Sequence, residues 1–274
     1  MNWTLHLGSA LDVLKTLPSE SVNCIVTSPP YWGAQRDYGV AGQLGMEKTP
    51  EEFRDALAAV FMECLRVLKA DGCMWLNLGD SYAASGKGGG GKLMRSRGES
   101  WAHREKLTGW RSPPKGYKQK DLVGVPWMVA FALRSSGWYL RRDVVWEKPR
   151  PTEPTRLDRP STAHEIVFLL SKSLRYSFDN TTIPQGSVWR IQPDGTTDGH
   201  TATMPPELAR RCVRSASAYG GTVLDPFAGM ATTGVVALEE GRSFVGIELN
   251  PKYHAAARER LAGVAPLLAE EVPA

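Results

Sequence analysis

Val22-Asn23-Cys24-Ile25-Val26-Thr27 runs directly into Ser28-Pro29-Pro30-Tyr31-Trp32. The first part is short, apolar and rich in β-branched residues, and it stops at a double proline. That pattern predicts a buried strand ending in a rigid loop. Each proline fixes its own φ, lacks an N–H and pushes the residue before it towards extended geometry. The carbonyls of Ser28 and Pro29 are thereby held in place, with a hydroxyl before them and two aromatic rings after. Such a loop suits a flat molecule bearing an amino group, offering acceptors for its N–H bonds and a ring for its face. Pro-Pro also occurs in ordinary surface turns, so the stretch needs a partner elsewhere in the chain to carry a function.

Working outward, seven stretches read as strands: Trp3–Leu7, Val22–Thr27, Cys73–Leu78, Asp143–Glu147, Glu165–Leu170, Thr222–Leu224 and Ser243–Ile247. Helical patterns lie between several of them, at Pro50–Lys69, Gly124–Ser136, Pro206–Ala218, Thr232–Glu240 and Pro251–Leu261. The first of these has Thr49 as N-cap, Pro50 at the first position, acids in the first turn and Gly72 just beyond the end. Alternating strands and helices predict a mostly parallel sheet covered on both faces. With 274 residues, 42% hydrophobic and 23% charged, the chain has the composition of an ordinary globular protein. We expect one catalytic domain over residues 1–274 with a large insertion at 85–121, and no clear linker divides the chain.

No apolar stretch approaches the ~20 residues that span a bilayer, and Met1-Asn2-Trp3-Thr4 lacks the basic start of a signal peptide. Cys24, Cys64, Cys73 and Cys212 form no close pair and no metal-ligand spacing. They read as reduced core residues of a cytoplasmic protein, and no metal is expected. The net charge of +4 is unevenly spread. Between Lys87 and Lys120 ten Lys and Arg face only Glu99 and Glu105. The same segment holds Gly88-Gly89-Gly90-Gly91, Trp101, Trp110 and Tyr117 without sustained periodicity. A long basic insertion of this kind implies a polyanionic partner.

The partner for the first motif lies downstream. Thr222-Val223-Leu224-Asp225-Pro226-Phe227-Ala228-Gly229 is a short strand entering a glycine turn, with a helix from Thr232. At the end of the next strand stands Ile247-Glu248-Leu249-Asn250. An acid there, one βα unit after a glycine turn, is placed to hydrogen-bond a ribose diol. This turn carries neither the Gly-Lys-Ser/Thr of an ATP-binding loop nor a GxGxxG.

Ser28-Pro29-Pro30-Tyr31 after an apolar strand resembles the catalytic motif of the exocyclic-amino DNA methyltransferases, which methylate cytosine N4 or adenine N6 with S-adenosylmethionine. Asp225-Pro226-Phe227-Ala228-Gly229 with Thr232-Thr233-Gly234 resembles their cofactor motif, and Gly246 to Pro251 their ribose-binding segment. The stretch His200 to Pro206 resembles the segment leading a helix over the methionine end of the cofactor. The likeness runs from Leu7 to about Leu261. The catalytic motif comes first, the circularly permuted order of the β group, and implies the class I methyltransferase fold with a seven-stranded, mostly parallel sheet. It further implies that Ser28, Pro29, Pro30 and Tyr31 hold a flipped base. Asp225, Pro226, Phe227, Gly229, Thr232, Thr233, Glu248 and Asn250 would hold the cofactor, with His200, Thr201 and Ser9 nearby.

Two departures stand out. Met230-Ala231 replaces the usual Ser-Gly, so that a Cβ at Ala231 would crowd the methionine part of the cofactor. Gly8-Ser9 replaces Gly-Asp, so Ser9 brings a hydroxyl without a charge. Members with Ser at the position of Ser28 are mostly cytosine-N4 enzymes, which favours cytosine and leaves adenine N6 as the alternative. Methylation at cytosine C5 needs a thiolate, and Cys24, mid-strand before Ile25, reads as a buried structural thiol instead. Lys87, Lys92, Arg95, Arg97, Arg104, Arg111, Lys115 and Lys118 are the expected contacts to the phosphates of double-stranded DNA. A homodimer and a cognate restriction endonuclease are compatible with the sequence. So are action on RNA or a protein glutamine, and a non-catalytic DNA-binding protein that keeps the fold.

Overall fold

A computed structural model describes residues 2–33, 39–83, 113–150, 158–193 and 204–264. In chain order the elements are β1 (Trp3–Leu7), α1 (Ala10–Thr16), β2 (Val22–Thr27), α2 (Pro50–Val67), β3 (Leu68–Leu78), α3 (Val125–Ser135) and β4 (Tyr139–Glu147). There follow β5 (His164–Ser171), a 3-10 turn (Asn180–Thr182), β6 (Val188–Arg190), α4 (Pro206–Ala216), β7 (Thr222–Asp225), α5 (Thr232–Glu239), β8 (Ser243–Glu248) and α6 (Pro251–Ala262).

The strands form one sheet in the order β1-β8-β7-β2-β3-β5-β4-β6. Neighbours pair in parallel except at β5, which runs against both β3 and β4. β2 is buried at every position but Asn23, as expected of a parallel strand covered on both faces. Its side chains alternate between two cores. Ile25 joins Leu14, Phe53, Leu57, Phe61, Val129 and Leu133 of α1, α2 and α3. Cys24 and Val26 join Leu208, Cys212, Val236, Ala257 and Leu261 of α4, α5 and α6. The polar exception is satisfied, because the Asn23 side-chain oxygen accepts the Thr222 N–H at 3.0 Å and Lys69 Nζ at 3.2 Å.

Helix α2 starts where the sequence places it. Thr49 Oγ1 accepts the Glu52 N–H at 3.1 Å, and the Glu52 carboxylate accepts the Lys48 N–H at 2.9 Å. One orphan donor of the first turn is thus covered, along with the N–H of the residue before the N-cap.

The described sheet has eight strands where seven were expected. The addition, β6, is three residues long and pairs with β4 through Val145↔Val188, Trp146↔Trp189 and Glu147↔Arg190. Only Trp189 of the three is buried, too little for a period-two pattern. Helix α1 was also not anticipated, since seven residues with only Leu14 fully covered carry no helical period. β3 begins at Leu68, five residues early, because Leu68 pairs with Val22 before the register shifts to Cys24↔Cys73.

The topology fixes where a ligand can sit. β7 continues through α5 to β8 on one side, while β2 continues through α2 to β3 on the other. β7 and β2 are parallel neighbours, with Leu224 opposite Ile25. The chain therefore leaves their carboxyl ends in opposite directions, opening a crevice at the switch point of the sheet. Asp225 ends one strand and Thr27 the other.

The basic insertion is stapled at its base. Ala83 N–H donates to Asp121 O at 2.9 Å, Lys120 N–H to Ala83 O at 2.8 Å and Val123 N–H to Ser81 O at 2.9 Å. Lys87, Lys92, Arg95, Arg97, Arg104 and Arg111 lie outside the described residues. Lys115 and Lys118 are described and exposed, in the turn that returns to Asp121.

Candidate active site

Asp225 is 4% exposed, and its Oδ1 accepts the Thr27 hydroxyl at 2.7 Å and the Phe227 N–H at 3.0 Å. Burial pushes its carboxyl up to about 6, against the hydrogen bonds that favour the charged form. The Thr27 bond crosses from β2 to β7 and ties the two strand ends together. Glu248 ends β8 beside them. Its Oε2 accepts the Gly229 N–H at 2.8 Å and its Oε1 the Asn250 N–H at 2.6 Å. Burial raises Glu248 as well, with those two amides working against it. Gly229 has φ +52, and a Cβ built there meets nothing within 4 Å, so its backbone stands open to the crevice.

Ala231, in the turn after Gly229, adopts the left-handed conformation at φ 55 and ψ 38 as the N-cap of α5. A Cβ in that region costs roughly 1–2 kcal/mol. The side chain is fully buried in the core beneath the sheet, and the crevice is lined by Met230 and Thr232 on either side of it. The expectation that this Cβ crowds the cofactor is therefore corrected. What the departure from glycine costs is backbone strain, not space in the crevice.

The loop after β2 rests on a buried polar network. Tyr31 Oη donates to Glu165 Oε2 at 2.5 Å. Asn77 Nδ2 donates to the same oxygen at 2.9 Å, and lies 3.1 Å from Tyr31 Oη and 3.4 Å from Ser28 Oγ. The other Glu165 oxygen forms an ion pair with Lys148, whose side chain is 8% exposed. Lys148 Nζ also lies 4.7 Å over the Trp146 ring. Beneath the Tyr31 ring sits Gly79, where a Cβ would fall 2.4 Å from Cε2. Only a residue without a side chain lets the ring lie there.

Both halves open into one cavity of about 620 Å³, lined by Ser28, Pro29, Pro30 and Tyr31 on one side and by Asp225, Gly229, Glu248 and Asn250 on the other. Small-molecule and cofactor sites span roughly 300–1,000 Å³. Residues 22–259 match the family model described as DNA methylase, which covers the N6 and N4 enzymes. The chain belongs to the N6/N4 DNA methylase family. This methylase is 43% identical over 270 residues to the type II methyltransferase M.Cfr9I of Citrobacter freundii, covering 95% of this chain and 88% of that protein. Among solved structures, TTHA0409 of Thermus thermophilus, described as a DNA modification methylase complexed with S-adenosyl-L-methionine, is 27% identical. Its TM-score is 0.68, over 96% of this chain and 95% of that one. The PvuII DNA methyltransferase, described as cytosine-N4-specific, reaches a TM-score of 0.72 at 21% identity, over 100% of this chain and 89% of that one. At that identity the likeness speaks for the fold.

The methylase uses S-adenosyl-L-methionine, and its crevice fits that group. An acid ends β8, an open glycine backbone faces the crevice, and its lining carries both polar and apolar side chains. Of the residues singled out from the sequence, Ser9, Ser28, Pro29, Pro30, Tyr31, Asp225, Pro226, Phe227, Gly229, Thr232, Thr233, Glu248 and Asn250 all line this cavity. His200 and Thr201 lie outside the described residues. Thr27, Asn77, Gly79, Lys148 and Glu165 were not singled out. Lys148 and Glu165 come together because β4 and β5 are antiparallel, with Trp146 opposite Glu165. Nothing in the linear spacing of a lysine and a glutamate 17 residues apart announces that pairing. Gln43 and Leu44, from the loop after β2, also reach the cavity. Among the described residues no helix is long and apolar enough to cross a membrane.

Proposed function

We propose that this DNA methyltransferase transfers a methyl group to the exocyclic N4 amine of a cytosine flipped out of double-stranded DNA. The observation that carries the reading is the single cavity shared by the Ser28–Tyr31 loop and the ends of β7 and β8. An amine conjugated to its ring is a weak nucleophile, since its lone pair is delocalised. Hydrogen bonds from its N–H groups to Ser28 Oγ and the Pro29 carbonyl localise that lone pair and aim it along the crevice. Tyr31 stacks on the base, its hydroxyl anchored by Glu165. Asp225, Pro226, Phe227, Gly229, Thr232, Thr233, Glu248, Asn250 and Ser9 hold the cofactor, and the resemblance adds His200 and Thr201 to that set. S-adenosylmethionine, when bound, supplies a methyl group on a sulfonium that is its own leaving group, so the protein needs no covalent intermediate.

Positioning then supplies most of the acceleration, and well-oriented reactants gain on the order of 7–11 kcal/mol. The amine is out of reach inside a duplex, so flipping costs a few kcal/mol of unstacking. Lys87, Lys92, Arg95, Arg97, Arg104, Arg111, Lys115 and Lys118 supply phosphate contacts, which set affinity and register. Cytosine is preferred over adenine on Ser28, the residue that most N4 enzymes of the resembled group carry at this place. The enzyme acts in the cytoplasm, where its DNA lies.

The test is methylation of plasmid DNA, digestion to nucleosides and mass spectrometry, with modification-sensitive sequencing of the same product. N4-methylcytosine at a defined site is expected. N6-methyladenine in its place would overturn the choice of base.

A further inference from the structure

The proposed base pocket holds a cation that neither the acceptor loop nor the cofactor residues use. Lys148 lines the cavity at 8% exposure, and its ammonium contacts one carboxylate, Glu165, and the face of Trp146. Glu165 is fully engaged by protein. One oxygen meets Lys148, and the other accepts from Tyr31 Oη at 2.5 Å and Asn77 Nδ2 at 2.9 Å. An ammonium carries three N–H donors, so Lys148 keeps donor capacity towards the cavity.

Stability does not account for the pair. Taking two charges out of water costs about what their attraction returns, and apolar residues of the same volume often stabilise as well or better. Recognition does account for it. Glu165 fixes the ammonium on the same network that fixes Tyr31 and Ser28, so the donor stands at a set distance from the acceptors that take the amine.

We propose that Lys148 is the base-selecting residue, donating a hydrogen bond to the O2 carbonyl of the flipped cytosine, with Glu165 as its positioning residue. The inference rests on the cytosine reading above and adds the group that enforces it. The Watson–Crick edge of cytosine runs from the amine through N3 to the carbonyl O2. That of adenine runs from the amine through N1 to a C–H. Both bases satisfy Ser28 and Pro29 with their amines, and only cytosine offers an acceptor at the far end. Adenine leaves a buried ammonium facing carbon, and sites with an unpaired buried polar group reject the analogue strongly.

The test compares single-turnover methylation of a duplex carrying the recognition site with cytosine at the target and of the same duplex with adenine there. Lys148→Met alone leaves Glu165 charged and unpaired, so the neutral double variant Lys148→Met/Glu165→Gln is measured beside it. In the double variant we expect the cytosine rate to fall about 10- to 100-fold, the loss of one hydrogen bond to a charged donor. The adenine rate should hold or rise, so the cytosine-to-adenine ratio collapses by that factor. Affinity for S-adenosylmethionine should stay within about threefold, since the contacts at β7 and β8 are untouched, and that arm also reports folding. An unchanged ratio, with both rates falling together, would overturn the proposal and leave Lys148 a structural support. A wild-type enzyme that prefers the adenine duplex would instead overturn the cytosine reading itself, so the two failures are told apart by the wild-type arm.

Discussion

Gly79→Ala is the sharpest probe of the acceptor loop. The added Cβ would lie 2.4 Å from Tyr31 Cε2, 2.8 Å from Cδ2 and 3.1 Å from Cζ. Carbon atoms pack at roughly 3.5–4.0 Å, so the ring must retreat by about 1 Å or more. Its φ lies outside the left-handed region, so alanine brings no backbone strain and the effect isolates the ring. Retreat stretches the Tyr31–Glu165 bond of 2.5 Å, and overpacking of this kind costs about 1–3 kcal/mol. For a chain of this size that is a fall in Tm of a few degrees. The functional cost is larger in proportion, because an ångström of misplacement can slow a positioned reaction by about 100-fold. Asp225 and Glu248, the proposed cofactor contacts, belong to β7 and β8 and are not disturbed. We therefore expect kcat to drop by one to two orders of magnitude while calorimetric affinity for S-adenosylmethionine stays within about threefold. A variant with wild-type kcat would refute the claim that the ring's seat governs the chemistry. Equal loss of cofactor affinity would refute the separation of the two halves.

The other predictions follow from the same geometry. Tyr31→Ala and Ser28→Ala should abolish activity and leave cofactor affinity nearly intact, whereas Asp225→Ala should remove cofactor affinity first; normal affinity in Asp225→Ala would sink the assignment. Because burial holds Asp225 at about 6, above the ~3.9 of free aspartate, its contribution to folding is fully present below pH 4 and lost as pH rises through 6. Cofactor binding that needs the ionised form runs the other way, weakening about tenfold per unit below pH 6, and calorimetry from pH 5 to 8 on wild type and Asp225→Asn should show the slope only in wild type. Ala231→Gly relieves roughly 1–2 kcal/mol of left-handed strain but loses about as much in a buried methyl and chain entropy. Its Tm should move by no more than a few degrees and its cofactor affinity by less than about threefold, and a large gain in affinity would mean that the Cβ does crowd the crevice.

The strands flanking the site were legible in the sequence because each is short, apolar and closed by a strong punctuator. Pro29-Pro30 ends β2, Asp225-Pro226 ends β7, and Asn250-Pro251 separates β8 from α6. Pro29, Pro30, Asp225, Pro226 and Asn250 also line the cavity, which is why the strands and the candidate site were read together. β6 and α1 escaped because three residues and seven residues show no period. The network under Tyr31 escaped for a different reason. Asn77, Lys148 and Glu165 sit at β3, just after β4 and at the start of β5, and only the antiparallel pairings of β5 with its two neighbours bring them together. Register across a reversed strand is set by long-range pairing, which local pattern does not carry. Gly79 is the same kind of case. Its lack of a side chain answers to a ring 48 residues earlier.

The buried bond from Thr27 to Asp225 explains why the permuted order of the motifs does not trouble the site. In the chain the acceptor loop precedes the cofactor turn by 198 residues, yet in the sheet β2 and β7 are adjacent and parallel. What the site requires is two carboxyl ends side by side, with their chains leaving in opposite directions. The order in which the chain visits those ends is immaterial to the crevice between them. Thr27 and Asp225 are both nearly inaccessible, so the hydroxyl hydrogen bond is made in low dielectric, where it is strong and costly to leave unmade. It therefore fixes the spacing between the half proposed to hold the donor and the half proposed to hold the amine. Distance across a reaction is the quantity a transferase must control, and here one threonine at the end of one strand sets it against one aspartate at the end of the next.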